Sequence, residues 1–194
     1  LSLGEYDEIV LLTNEAARLF AAIGHRMNYA RCFNLLGEVK RMQQHYAEAK
    51  ADYLESLQGL RAVDYQSGVA IVLANLGWTV YHLGDYRAAF AYFTESINLA
   101  YDLEFPNGVA VALIGAAGAL VHLAQPQQAA KLLGASEAIQ ETLGMAIAST
   151  DEPDYERTRH MIQSDLGEAD FGRYWQAGRT LTTNEIGAIL NQFA

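Results

Sequence analysis

Hydrophobic residues recur along the chain in blocks with helical spacing, separated by short polar breaks. Over residues 67–83 the apolar positions fall three or four apart, which predicts one buried face of an α-helix. Gly84 and Asp85 predict the end of that helix and the start of another, because glycine adopts left-handed backbone angles easily and aspartate caps a following helix. Residues 86–103 show the same spacing again. The pattern therefore predicts a pair of antiparallel helices.

This helix pair recurs every 40 residues, without a gap, from residue 3 to about residue 144. Small residues share one register at Ala49, Ala89 and Ala129, and large residues share another at Tyr53, Phe93 and Leu133. Self-similarity at a fixed period is typical of solenoids, in which each unit covers the apolar face of the next. We therefore predict a half unit over residues 3–24 and full units over 25–64, 65–104 and 105–144, together forming a region of residues 1–144.

The predicted fold is all-α, a right-handed superhelical solenoid of antiparallel helix hairpins with a helical C-terminal cap. Gly37 and Gly77 are expected where a bulky side chain approaches the first helix of a unit, and Tyr53 and Phe93 are expected to fill that space. Residues 145–194 lose the repeat and form the atypical cap. Helices are expected there over residues 151–166 and 168–177, followed by one that begins at a capping box.

Composition narrows the functional classes. The formal charge of −10 does not favour binding of nucleic acid over the whole surface. The single cysteine, Cys32, excludes an internal disulfide and predicts a buried small residue in a cytoplasmic protein. No apolar run reaches the ~18 residues that span a membrane, so no membrane partner is expected. Because the chain starts at Leu1, in the middle of a unit, we expect it to be part of something longer.

The acidic residues are concentrated near the C-terminus. Seven carboxylates occur among residues 151–170: Asp151, Glu152, Asp154, Glu156, Asp165, Glu168 and Asp170. Their simplest interpretation is a solvated helix face, and the alternative is a docking surface for a basic partner.

The sequence gives little indication of catalytic or metal chemistry. His82 and His122 share a register and are expected about one helix spacing apart, ~8–10 Å between axes. A metal site needs further ligands, and none is predicted nearby. No nucleophile elbow or phosphate-binding loop is present. We therefore expect no catalytic residues, no bound metal, no cofactor and no enzymatic activity.

The first helix of each pair is expected to line the inner surface of the solenoid, where a partner would bind. Large aromatic side chains and amides there suit protein recognition, and arginines suit a carboxylate. Packing between units is the alternative role for the aromatic and amide residues. The predicted partner-binding residues are Arg31, Asn34, Glu38, Arg41, Asn75, Trp78, Tyr81, His82 and His122.

The spacing of Leu36 and Gly37, Ala49, Tyr53 and Ser56, with its two copies, resembles the tetratricopeptide repeat. That family places an aliphatic–glycine pair in the first helix and small–aromatic–small positions in the second. The period of 40 resembles variants of the family with longer helices. The resemblance implies a protein- or peptide-binding scaffold. The family's carboxylate clamp, with Lys and Asn at fixed inner positions, is not reproduced here.

The tail resembles a narrower group of proteins. Residues 129–138, the segment at Tyr155, the segment at Leu166 and residues 178–182 are similar to the C-terminal end of large bacterial regulators of the LuxR, AfsR and MalT type. Those proteins join a signalling ATPase, often with a DNA-binding domain, to a helical repeat region. The resemblance implies that this chain is the sensor or interaction part, without direct binding of ATP or nucleic acid.

Three functions remain open from the sequence. The first is a protein- or peptide-binding scaffold within a bacterial transcriptional regulator or signalling ATPase. The second is a small-molecule sensor, with an inducer held near Val111, Ile114 and Val121. The third is a self-association module, which would make the protein a homo-oligomer.

Overall fold

The computed structural model describes residues 3–146 and 152–193, and these residues form ten α-helices and no strand. The helices are α1 (Leu3–Ala22), α2 (Arg26–Met42), α3 (Tyr46–Ala62), α4 (Gln66–His82), α5 (Tyr86–Asp102), α6 (Pro106–His122), α7 (Pro126–Leu143), α8 (Glu152–Leu166), α9 (Glu168–Gly178) and α10 (Thr183–Phe193). Residues 1–2, 147–151 and 194 lie outside the described residues. They include the first residues of the predicted region 1–144, part of the predicted cap 145–194, and the predicted acidic residue Asp151.

Consecutive helices from α1 to α7 pack against one another as antiparallel hairpins, which confirms the predicted all-α class. The first helices of successive pairs also touch, since α2 contacts α4 and α4 contacts α6. This arrangement is consistent with a helical-hairpin solenoid. The side of the stack formed by α2, α4 and α6 is called the inner side below.

The turns between these helices repeat every 20 residues. One residue in each turn has a positive φ, between 51° and 84°. These residues are Gly24, Gln44, Asp64, Gly84, Glu104, Ala124 and Gly144. At Asp85 the side chain accepts a hydrogen bond from the backbone N–H of Ala88 at 3.1 Å, which confirms the predicted cap of α5.

Pairing of small and large residues sets the spacing within each hairpin. A Cβ added to Gly37 would lie 2.8 Å from the ring of Tyr53, and one added to Gly77 would lie 2.7 Å from Phe93. The prediction that these rings fill the space beside the glycines is therefore confirmed. Ser96 adds a hydrogen bond of 2.8 Å to the backbone carbonyl of Ala70, and its repeat equivalents lie in the same buried position.

Three helices follow the regular hairpins. Helix α8 packs on α6 and α7, and α9 packs on α7. Helix α10 begins at the predicted capping box: the Thr182 hydroxyl accepts from the backbone N–H of Glu185, and the Glu185 carboxylate accepts from the backbone N–H of Thr182. Its apolar residues join the core through contacts such as that of Phe193 with Phe90.

Candidate partner-binding groove

The inner side of α2 and α4 carries two adjoining recesses, which together are called the inner groove. Arg31, Asn34, Glu38 and Arg41 lie three or four residues apart on one face of α2. The first recess, of about 550 Å³, lies between α2 and α4 and is lined by Arg31, Asn34 and Glu38, among others. The second, of about 610 Å³, extends toward α8 and is lined by Glu38, Arg41 and Asn75. Glu38 borders both recesses, so the two form one continuous surface.

Hydrogen bonds between α2 and α4 organise the middle of the groove. The Asn34 side-chain amide donates to Glu38 at 2.6 Å. The Asn75 amide donates to the Asn34 carbonyl oxygen at 3.1 Å and to the Glu38 carboxylate at 3.4 Å. The sequence left open whether Asn75 serves a partner or a neighbouring helix, and here it bonds the neighbouring helix. Within the part of the chain that the structure describes, the Asn75 side-chain oxygen accepts no hydrogen bond, so an acceptor remains at the groove surface.

The two large aromatic residues predicted for the groove are buried. Trp78 is 3% exposed and Tyr81 is 5% exposed. Trp78 packs edge-on against Phe93 at 5.2 Å between ring centroids, and Tyr81 packs edge-on against Trp78 at 5.6 Å. Burial raises the pKa of Tyr81 to about 12. Both rings therefore have the packing role that the sequence left as the alternative, and both contact His82, which lines the second recess.

His82 and His122 make the same contact in successive units. His82 stacks on Tyr46 of the preceding hairpin, with 4.7 Å between ring centroids, and His122 stacks on Tyr86 at 3.7 Å. His122 also lies 3.2 Å from the Tyr81 hydroxyl, and burial lowers its pKa. His82 lines the second recess. His122 is the last residue of α6, where its ring contacts Tyr81 and Tyr86.

Charges gather where α8 meets the groove. Asp154 of α8 lies 3.6 Å from the His82 imidazole and 2.8 Å from the Arg157 guanidinium. Burial opposes ionisation of Asp154, but His82, Arg157 and Arg41 favour it, and the pKa of this carboxyl lies below its ordinary value. The second recess therefore ends at an ionised, largely buried carboxylate.

Helix α8 covers the inner side of the third hairpin. A Cβ added to Gly118 of α6 would lie 2.9 Å from the Thr158 hydroxyl, so glycine is what lets α8 approach. The Tyr155 hydroxyl donates to Glu137 of α7 at 2.8 Å, and Ile162 is fully buried. The position considered for a small-molecule inducer, around Ile114 and Val121, lies in the same apolar cluster as these α8 residues.

Other candidate chemistry is limited. Within residues 3–146 and 152–193, no group of three or more His, Cys, Asp or Glu side chains is placed to hold a metal ion. None of the helices described there is long and apolar enough to cross a membrane. Cys32 is a free, buried thiol, as predicted, and burial raises its pKa.

Sequence reasoning missed the contribution of α8 to the groove. Pro153, Asp154 and Arg157 line the second recess together with residues of α2 and α4, from which they are distant in the chain. The repeat could not place them, because α8 lies outside its register. A signal was present: Tyr155, Thr158 and Ile162 are the buried residues of α8 and fall on one helical face.

Comparison with known families supports a tetratricopeptide-repeat domain. The family model described as the tetratricopeptide repeat matches residues 34–102, about a third of the chain, from the middle of α2 to the end of α5. Repeats of this family typically mediate protein–protein interaction, and the family fold is a non-catalytic scaffold. No curated protein sequence matches the chain significantly.

Proposed function

We propose that the protein binds a protein or peptide partner in the inner groove between α2 and α4. The observation that carries this proposal is the contrast in cover along the inner side. The surface of α2 and α4 is open, whereas α8 lies over α6. The second recess is lined mainly by polar and charged residues, and the first combines polar residues such as Arg31 and Asn34 with apolar ones. A recessed, uncovered surface with polar and charged groups beside apolar ones suits a partner that supplies hydrogen bonds, charges and some apolar contact.

The groove favours an extended segment with polar groups along its length. Its centre offers the Asn34–Glu38–Asn75 cluster, which presents amide and carboxylate groups within hydrogen-bond reach of one another. Arg31 and Arg41 lie on either side of this cluster on α2. Apolar contact is available beside it, since Ile71 is 44% exposed and lines the first recess. The predicted contact residues Trp78 and Tyr81 support this surface through their contacts with His82, and His122 lines neither recess.

The setting of this scaffold is also part of the proposal. The resemblance of the tail to large bacterial regulators supports a sensor or interaction role beside an ATPase or DNA-binding domain. In that setting the fragment itself does not bind nucleic acid, and the single cysteine supports a cytoplasmic location. The units over residues 25–64, 65–104 and 105–144, preceded by a half unit and followed by a cap from residue 145, are the division that we propose.

Self-association is the second candidate. Leu11, Leu12 and Leu19 of α1, and Ile23 directly after it, are between 56% and 73% exposed, which is unusual for a cluster of large apolar side chains. A second copy of the chain packing on α1 would cover them. Light scattering across micromolar concentrations tests this: a mass that stays at 21.3 kDa would rule it out.

The groove is tested by selecting peptides from a random display library and measuring the best binder by fluorescence polarisation. Arg31→Glu reverses a charge at the first recess, and Asn75→Ala removes the amide between the recesses. Each is expected to weaken binding about tenfold or more, as for central interface residues. Arg87→Glu is the matched control, because Arg87 is exposed on α5 outside both recesses.

Two outcomes would contradict the proposal. If no selected peptide bound this protein more tightly than the same peptide bound an unrelated helical protein, the peptide-binding function would be wrong. If a peptide bound equally to the wild type, Arg31→Glu and Asn75→Ala, the function would stand and its location in the inner groove would be wrong.

A further inference from the structure

A cavity separate from both recesses of the inner groove lies where α9 and α10 meet the hairpin of α6 and α7. It has a volume of about 460 Å³ and is called the corner cavity here. That volume falls within the range of pockets that hold small molecules, ~300–1,000 Å³. Its walls are mainly apolar, and the residues used in the argument below are Tyr101, Val109, Ala138, Ile139, Leu143 and Ile186.

Comparison of the repeats shows how the cavity arises. At two positions on the second helix of each hairpin, the first two units carry polar residues and the third carries alanine. These are Glu55, Glu95 and Ala135 at one position, and Gln58, Asn98 and Ala138 at the other. Ala135 and Ala138 both line the cavity. The exchange removes polar groups and opens space on this face of α7.

The helices that form the cavity are held at a fixed distance, so they do not close over it. A Cβ added to Gly178 at the end of α9 would lie 2.0 Å from the Lys131 carbonyl oxygen. One added to Gly134 of α7 would lie 2.1 Å from the Trp175 carbonyl oxygen. The backbones of α7 and α9 are therefore already in contact, and α9 cannot move closer to fill the space beside Ala138.

Three of the polar groups around the cavity, those of Arg179, Thr142 and Tyr101, already have partners. Arg179 donates to both oxygens of Glu141, at 3.0 and 2.5 Å, and lies over the Trp175 ring at 4.9 Å. The Thr142 hydroxyl donates to the backbone carbonyl of Ala138 at 2.8 Å. Tyr101 is hydrogen-bonded to Thr183, although burial is the larger influence and raises its pKa. Glu104 also lines the cavity, but its side chain is exposed to water, so it does not leave a buried charge for an ionised ligand to neutralise.

We propose that the corner cavity binds a compact, uncharged, largely apolar small molecule. Apolar walls favour such a ligand because removing apolar surface from water is favourable. A charged ligand would lose its hydration on entering the cavity. An anionic ligand could pair with Arg179 only if the ion pair of Arg179 with Glu141 broke. The site does not depend on the peptide-binding function of the inner groove, because it involves none of the residues of that groove.

The charge preference is tested with two probes that share one aromatic body. N-phenyl-1-naphthylamine is neutral, and 8-anilino-1-naphthalenesulfonate carries a negative charge. The neutral probe is expected to show saturable fluorescence enhancement at one site per chain. The anion is expected to bind at least about tenfold more weakly, because burial of an unpaired charge is unfavourable.

The location is tested by filling the cavity. Ala138→Phe places a large side chain in the space and is expected to abolish binding of the neutral probe. Ala91→Phe is the matched control, since Ala91 is exposed on α5 and away from the cavity, and it is expected to bind the probe as the wild type does. Circular dichroism and thermal melting establish that each variant folds.

A second variant keeps the test valid if Ala138→Phe does not fold. Leu143 is 38% exposed at the cavity, so Leu143→Gln changes its polarity with little effect on the core and is expected to weaken probe binding several-fold. Wild-type affinity in both variants would overturn the proposal, as would equal affinity for the two probes. Absence of saturable binding, with a dimer in light scattering that Ala138→Phe disrupts, would also overturn it and would assign the cavity to a side chain of a second copy.

Discussion

The inner sides of α2 and α6 occupy the same positions of the repeat but have opposite character. Arg31, Asn34, Glu38 and Arg41 of α2 correspond, 80 residues later, to Val111, Ile114, Gly118 and Val121 of α6. The first set lines the open groove. In the second set, Gly118 lies against Thr158 of α8, and Ile114 and Val121 belong to the apolar cluster that includes the buried residues of α8. The two helices have the same backbone position in their units. The difference in the character of their inner residues therefore goes with what covers each surface.

This comparison separates two kinds of position in the repeat. The small position between the two helices of a hairpin is the same in every unit: Ala49, Ala89 and Ala129 are all fully buried. Inner positions vary with their surroundings, because many of them also meet elements beyond the hairpin, as Gly118 does with Thr158 of α8. A change of an inner residue should therefore have a large effect on stability where α8 lies and a small effect where the groove is open.

The largest expected effect comes from removing an apolar anchor of the covered region. Ile162 of α8 is fully buried, so Ile162→Ala is expected to lower the free energy of unfolding by about 2–5 kcal/mol. Ile71→Ala in the open groove is the control and should change it by less than ~0.5 kcal/mol, since Ile71 is 44% exposed. Urea titration followed by circular dichroism measures both. Equal losses would show that the two regions do not differ in cover.

A bulky residue at Gly118 should also act on the covered region. Gly118→Leu would displace Thr158 and is expected to lower stability by about 1–3 kcal/mol. Gly172→Leu is the control: a Cβ at Gly172 meets nothing within 4 Å, and replacing a helical glycine should raise stability by up to ~1 kcal/mol. Hydrogen exchange should show faster exchange in α8 for the first variant only. Unchanged protection of α8 in Gly118→Leu would contradict its contact with α6.

In the open groove, the hydrogen bond between Asn34 and Asn75 should contribute modestly. A double-mutant cycle with Asn34→Ala and Asn75→Ala is expected to give a coupling energy of about 0.5–1.5 kcal/mol. Denaturant unfolding of the two single variants and the double variant measures it. A coupling energy near zero would mean that the two amides do not interact across α2 and α4.

The smallest effect is expected at the boundary of the two regions, from the titration of Asp154. The folded-state pKa of Asp154 is lowered, so its contribution to stability is present above the ordinary carboxyl pKa of ~4 and is lost as pH falls through the lower folded value. In the Asp154→Asn variant the free energy of unfolding should therefore fall less steeply as pH decreases through that acidic range. The difference from the wild type should be less than about 1 kcal/mol.

Glu152→Gln provides the control for that pH series. Glu152 is exposed on the same helix, so the variant should keep the acid-induced loss seen in the wild type. A profile for Asp154→Asn that follows the wild type at every pH would show that the contact of Asp154 with His82 does not hold α8.

Much of the fold could be predicted from the sequence. The period of 40, the turn at Gly84 and Asp85, the glycine–aromatic pairs and the capping box at Thr182 all depend on residues close in the chain or at fixed spacing. Such contacts leave a periodic signal, because each unit packs on the next in the same way.

The candidate site was predicted less completely. Arg31, Asn34, Glu38, Arg41, Asn75 and His82 do line the recesses, because their register places them on the inner side. The burial of Trp78 and Tyr81 depends on how closely neighbouring hairpins approach, which the spacing does not reveal. Asp154 and Arg157 were missed because α8 has no counterpart in the earlier units.

The sequence by itself determined the local features of this protein: which segments are helices, where the chain turns between them and which helix faces are buried within each hairpin. These follow from backbone propensity and from apolar spacing along a single helix. Only the tertiary structure decided that α8 returns to cover α6, that the inner groove is open at α2 and α4, and that α9 stops short of filling the corner cavity. These features depend on contacts between segments without a common register, whose distances are set by packing in space and not by spacing along the chain.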